Sequence, residues 1–226
     1  MEIEKLHHKS LSEEVFELLR EKIIRWKFRP GQRLKDRELA EGLGVSRSLV
    51  RHAFTLLEKD GLVKVSRTGV YVSRFTKREI QEIYEVRRLL ESFALESAYD
   101  NITDEELDEI EGKINETKRD LEMGQLEASY ALDVAIHQLI VNKCNNSQIK
   151  KMYSNYRSIL GIIILSDYNK PDNVVESFEE HCRIFEAIKQ RDLNKAREAL
   201  LSHLSGSMNR VIEMFGNMAS SNTSGP

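Results

Sequence analysis

The chain is poor in the features that belong to secreted or membrane-spanning proteins. Cysteine is scarce: Cys144 and Cys182 are the only two among 226 residues, and no CxxC spacing joins them. That fits unpaired thiols in a reducing cytosol better than a disulfide framework. No apolar run approaches the roughly 18–20 residues that span a bilayer. The longest candidate, Ile159 to Leu165, is far too short. The opening MEIEKLHHKS lacks the apolar stretch of a signal peptide, so a cytoplasmic protein with no membrane partner is expected. No internal repeat is visible.

What is present is an ordinary soluble balance, with 40% hydrophobic and 31% charged residues, enough for real cores. The length suits two modest domains. A net charge of −3 argues against a general nucleic-acid binder, but the charge is unevenly spread. Residues 1–76 carry 16 Lys and Arg against 11 Asp and Glu, a net of +5; the remainder carries 18 against 26, a net of −8. Residues 20–76 reach +8. Such asymmetry suggests a nucleic-acid-facing module joined to an acidic one, or else a chance cluster on a solvated surface.

Periodicity predicts a helix over 12–28, with Val15, Leu18, Leu19, Ile23 and Ile24 on one face, ended by Arg29-Pro30-Gly31. A short helix over 36–42 follows, then a turn at Gly44. A second helix starts at Ser46 and closes at Gly61, the serine capping its first turn. Leu62–Val65 and Val70–Val72 are β-prone runs joined by Arg67-Thr68-Gly69, which reads as a hairpin. Beyond Thr76 no comparable strand signal appears. Six helices are expected, over 77–99, 103–123, 125–144, 146–168, 172–190 and 192–216. Thr103 with Glu106 resembles a capping box, and Pro171 marks a break. The expected fold is therefore mainly α: an N-terminal winged helix-turn-helix (1–76) with a small β-hairpin wing, then an all-α helical-bundle ligand domain (77–216). A small, polar tail (217–226) is expected to be disordered.

In a helix-turn-helix the second helix enters the major groove, and side chains near its start reach base edges. Here that start is Ser46-Arg47-Ser48-Leu49-Val50-Arg51-His52. Arg47 and Arg51 share one face, while Val50, Phe54 and Leu57 point to the core. An arginine can bond guanine O6 and N7 with two hydrogens, and serine hydroxyls can hold phosphates. Arg37 on the preceding helix is a further candidate. Arg67, Thr68 and Gly69 at the wing tip can approach phosphate or the minor groove. The bland alternative is a three-helix module with a solvated basic face.

Three of the six histidines, His137, His181 and His203, fall on different expected helices of the second part. Asp133 lies four residues before His137, on the same face. His181 shares a face with Phe178, Ile184, Phe185 and Ile188, and Leu200 and Leu204 flank His203. Polar groups on apolar stripes need partners when buried. Three histidines and an aspartate from three helices can converge on a divalent ion, a donor set suited to zinc, nickel or manganese. Each histidine taken singly is more often a satisfied core residue than a ligand. Cys144, on the face of His137 and Val141, reads as core.

The run PGQRLKDRELAEGLGVSRSLVRHAFTLLEKDGLVKV resembles the N-terminal domain of the GntR family of bacterial regulators over nearly all of residues 10–75. The resemblance implies DNA contacts from Arg37, Arg47, Ser48, Arg51 and Gly69. Three features depart from the family pattern: Ser48-Leu49 stands where Thr-Pro is common, His52-Ala53-Phe54 where Glu-Ala-Leu is, and no proline-rich approach precedes the wing glycine. The segment YEVRRLLE from Tyr84, then Asp133-x3-His137, then EHCRIFEAI from Glu180, then His203-Leu204 is similar to the FCD ligand domain of the FadR-type branch, over roughly 77–215. Six helices rather than seven resemble its VanR-like subgroup. The likeness implies a metal held by Asp133, His137, His181 and His203, with Arg87 near the pocket. The place of Arg87 on the inner face beside Ile83, Leu90 and Ala94 fits a carboxylate-binding role or, equally, an ion pair with an acid of a neighbouring helix.

These readings lead to a regulator, not an enzyme: a homodimer on a short, nearly palindromic operator of double-stranded DNA, tuned by a small organic acid. Effector binding is expected to change the spacing of the two DNA-reading heads. Three rivals use the same histidines. One is a metalloenzyme that activates water, another a sensor whose signal is the ion itself, and the third a regulator with a purely structural metal.

Overall fold

The structure, a computed structural model, describes residues 10–168 and 170–221. Ser10 opens the first helix, α1 (Leu11–Ile24): its hydroxyl accepts from the Glu13 N–H while the Glu13 carboxylate accepts from the Ser10 N–H. Val15, Leu19, Ile23 and Ile24 are buried. Leu18, expected on the same face, is instead exposed. The helix stops before the expected Phe28, because Trp26 takes a left-handed φ of 55° that no α-helix accommodates.

A two-residue strand, β1 (Arg33–Leu34), leads into α2 (Asp36–Leu43) and α3 (Arg47–Lys59). Gly44, at φ 65°, closes α2 in the left-handed conformation that favours glycine. Ser46 then caps α3 by accepting from the Leu49 N–H. Val50, Ala53, Phe54 and Leu57 are buried on α3, which packs on α1 and α2. The expected hairpin is present as β2 (Val63–Ser66) and β3 (Gly69–Val72), paired antiparallel from Val63↔Val72 to Ser66↔Gly69. The expectation omitted one strand: β1 pairs with β3 through Arg33↔Tyr71 and Leu34↔Val70, so the sheet has order β1-β3-β2. Two residues were too few to show an alternating pattern.

The chain divides into two compact units, Met1–Arg74 and Phe75–Pro226. The second contains α4 (Lys77–Ala98), α5 (Asp104–Glu122), α6 (Glu127–Lys143), α7 (Ser147–Asp167), α8 (Pro171–Lys189) and α9 (Leu193–Ser221), with a 3-10 turn at Tyr99–Asn101. No strand occurs among its described residues. Thr76 with Glu79 and Thr103 with Glu106 form capping boxes that start α4 and α5. Pro171 occupies the first turn of α8, where its missing N–H costs nothing. The core gathers Leu95, Ile136, Ile140, Ile184, Leu200 and Leu204, all buried, together with Cys144. Helix α9 packs on α8, α4 and α7, and α6 packs on α4 and α8, so α4, α6, α8 and α9 surround a common interior. The helix α9 runs to Ser221, past the point where a disordered tail was expected; residues 222–226 lie outside the described ones. No helix among the described residues is long and apolar enough to cross a membrane.

Candidate functional site

In that interior Asp133 and His137 from α6, His181 from α8 and His203 from α9 come together, all buried, each with a ligand-type atom within 4.8 Å of the others'. The His137 Nε2 lies 3.3 Å from His203 Nε2 and 3.2 Å from His181 Nε2. The Asp133 carboxylate approaches from one side, 3.5 Å from His181 Nε2 and 4.0 Å from His137 Nε2.

The partners on the other ring nitrogens explain why Nε2 faces inward. His181 Nδ1 donates to the Ser177 carbonyl at 2.7 Å, which a carbonyl can only accept. His137 Nδ1 donates to Glu91 at 2.6 Å and His203 Nδ1 to Glu180 at 2.8 Å. With each Nδ1 bonded outward in this way, the three Nε2 atoms are left facing one another in a buried cluster. Burial drives the His181 pKa down to about 4, with His137 adding to the fall and Asp133 opposing it. His203 is pushed well below the usual histidine range, by burial first and then by His181 and His137. Three imidazole nitrogens and a carboxylate brought this close form a donor set that a divalent cation can satisfy. Neutral imidazoles with carboxylate or carbonyl partners behind them are what a divalent ion requires of its ligands.

Arg87 stands beside this cluster. Its side chain is buried, and Nε donates to Glu91 at 2.6 Å, the same carboxylate that holds His137. The acid is on its own helix, one turn on, not on a neighbouring one. Nη1 and Nη2 have no hydrogen-bond partner among the described residues. A buried donor left unpaired costs about 1–3 kcal/mol, more when charged, so the open edge asks for an anion. Glu91 is held charged: burial alone would raise its pKa, but Arg87 and His137 bring it low.

Glu91 and Glu180 were not identified from the sequence. Glu180 is buried, and besides His203 it takes two bonds from Arg210, at 3.1 and 2.9 Å. Gly206 permits that contact, since a Cβ there would lie 2.8 Å from the Glu180 carboxylate. The available signal was an acid on an apolar stripe: Tyr84, Arg87, Glu91, Leu95 and Ala98 recur at helical spacing, all buried.

In the first unit Arg47 and Arg51 project from the start of α3, 55% and 64% exposed, and converge on one carboxylate, Asp36 of α2. Arg37 is exposed and paired with Glu41 one turn along α2. Ser46 caps α3 and shares a 2.8 Å hydrogen bond with Ser48, so both hydroxyls sit at the helix start. At the wing the loop is Arg67-Thr68, with the Thr68 hydroxyl bonded to Ser66 and Tyr71. Gly69 opens β3 at φ 141°, a backbone conformation that calls for glycine, and the mobile end of the Arg33 side chain lies over it.

Residues 11–72 match the family described as bacterial regulatory proteins, gntR family, and residues 82–206 match the FCD domain. The transcriptional regulator YdhC of Bacillus subtilis is 32% identical over 187 residues, covering 82% of this chain and 84% of its own. The gluconate operon transcriptional repressor of Bacillus licheniformis is 27% identical over 202 residues, covering 87% and 83% respectively. Among solved structures, McbR/YncC of E. coli shares the fold with a TM-score of 0.78 at 23% identity, over 92% of this chain and all of that one.

Proposed function

Because the chain belongs to the GntR family of bacterial transcription regulators and carries an FCD domain, we propose that it is a ligand-responsive homodimer. On this reading it binds a short, nearly palindromic operator and works in the cytoplasm. Helix α3 reads bases through Arg47 and Arg51; Arg37, Ser46, Ser48, Thr68 and Gly69 hold the backbone of the duplex. The effector is a small organic acid. A relative named for the gluconate operon is in keeping with a carboxylate ligand.

One observation carries this reading: the convergence of Asp133, His137, His181 and His203 beside the open edge of Arg87. Those four residues would hold a divalent ion (zinc, nickel or manganese), which when bound supplies a Lewis-acidic face to a carboxylate. Glu91 and Glu180 orient His137 and His203 and keep their Nδ1 protons in place. Arg87 offers Nη1 and Nη2 as a two-pronged donor to the effector's carboxylate. Glu91 ties the two halves of the site together, since one of its oxygens holds Arg87 and the other His137. An effector seated here shifts operator affinity only by its differential affinity for the two states of the dimer.

The metalloenzyme alternative is less well served. The two carboxylates nearest the cluster are committed to histidine and arginine partners, so neither is free as a general base.

Elemental analysis of tag-free protein tests the centre, with His203→Ala as control. About one ion per protomer in the wild type and little in the variant is the expected result. No ion after dialysis against zinc, nickel and manganese salts would return the cluster to polar core and leave the effector to be sought around Arg87 alone.

A further inference from the structure

We propose that Asp36 sets the aim of the two DNA-reading arginines, and so governs discrimination between sequences more than overall affinity. This positioning role rests on the reading of α3 as the recognition helix.

Asp36 is the first residue of α2, where the exposed N–H groups and the helix dipole favour a carboxylate. Its side chain is 22% exposed, much less than those of the arginines it meets. Oδ2 accepts from Arg51 Nε at 2.7 Å and from Arg47 Nη2 at 3.0 Å and Nε at 3.3 Å. Oδ1 lies 3.3 Å from Arg47 Nη2. The hydrogen bond from Arg51, helped by Arg47, holds the acid below its ordinary range, so the carboxylate stays charged at neutral pH.

Two arginines one turn apart on a solvated helix face repel each other and sample many rotamers. A single carboxylate from the neighbouring helix removes both problems. It grips Arg51 through Nε, which fixes the plane of the guanidinium. Nη1 and Nη2 of Arg51 then have no partner among the described residues. That pair of donors is the one guanine O6 and N7 accept in the major groove. Arg47 is held along its Nε–Nη2 edge, which leaves Nη1 outside the bonds to Asp36.

A negative charge at this surface also works against binding, because phosphate attraction supplies the sequence-independent part of the affinity. Removing it therefore has two opposed effects. Attraction to any duplex holds or grows, while preference for the right one falls. Loss of a merely structural residue would weaken both alike.

The test uses the full chain and two probes. One is a duplex enriched by the wild type from a randomised pool; the other is the unselected pool of equal length. Fluorescence anisotropy at several salt concentrations gives both affinities. For Asp36→Asn the preference for the selected duplex should fall about tenfold, within the range expected for one bidentate base contact. Affinity for the unselected pool should hold or rise. Asp36→Glu, which keeps the charge, should recover much of the preference. An unchanged preference, or an equal fall on both probes, overturns the proposal whatever Asp36→Glu does. Arg47→Ala and Arg51→Ala separate the two readings. If neither weakens binding to the selected duplex, or if no duplex is enriched, the assignment of α3 fails. If they abolish it while Asp36→Asn keeps full preference, only the aiming role fails.

Discussion

Glu180 meets His203, Arg210 and the surface of α9 at Gly206 within a single carboxylate. An alanine Cβ at position 206 would lie 2.8 Å from Glu180 Oε1 and 3.2 Å from Arg210 Nη1. Glu180 cannot simply swing away, because it is buried and tied twice to Arg210. Gly206→Ala should therefore displace the carboxylate from His203 Nδ1 and weaken zinc binding about 10–100-fold, the usual scale for losing an outer partner of a metal-bound histidine. Calorimetric titration with zinc reads the loss, with circular dichroism as the check on folding. Full affinity would mean that His203 is oriented without Glu180. The inward residues themselves were legible, since Asp133, His137, His181 and His203 stand on apolar stripes or at helical spacing. Their supporting acids were not. Glu91 stands on an apolar stripe and Glu180 beside His181, but the histidines they hold come from other helices far along the chain, which local spacing does not show. Asp36 escaped for the same reason, as its meaning depends on arginines 11 and 15 residues away.

The elements were read best where a chemical signal marked their ends. Ser46 and Thr103 cap helices as expected, Pro171 starts α8, and Gly44 closes α2. Elsewhere the reading slipped. Helix α1 stops at Ile24, short of the Arg29-Pro30-Gly31 signal, where Trp26 just beyond its cap takes a left-handed φ that no local rule would assign, and β1 is created by its partner strand. Gly44 offers a clean measure of one cap. Nothing lies within 4 Å of a Cβ placed there, so alanine would meet only the strain of φ 65°. Gly44→Ala should cost the first unit about 1 kcal/mol, the lower end of the penalty for a left-handed residue with a side chain. The only tryptophan, Trp26, lies in that unit, so a urea titration followed by its fluorescence reports the change directly. A midpoint equal to wild type would show that the turn does not depend on glycine.

At the scale of the molecule, the two units should answer acid differently. His181 has its folded pKa near 4, and His203 is shifted the same way, while an unfolded histidine titrates at about 6.5. Between those values the unfolded chain binds protons that the folded one refuses. Stability of the metal-free second unit therefore rises with pH across that window and is lost as pH falls through it. Asp36 is shifted downward and stays charged over the same interval, so it gives the first unit no comparable slope. Chelator-treated protein taken from pH 7.5 to 5 should lose helical signal at lower urea, while the Trp26 transition stays in place. Coincident shifts of both signals would mean that the units unfold together.

The order of these units along the chain also has a consequence in time. The DNA-reading unit is complete at Arg74, whereas the last of the four inward residues, His203, comes from the final helix. About 130 residues separate them, which at roughly 5–20 residues per second amounts to some 6–26 s of synthesis. Each new molecule passes through an interval in which the head can fold but the centre lacks a side. On the proposed function, a lag between translation and control is thereby written into the connectivity, because the part that touches the chromosome is finished before the part that would take instruction.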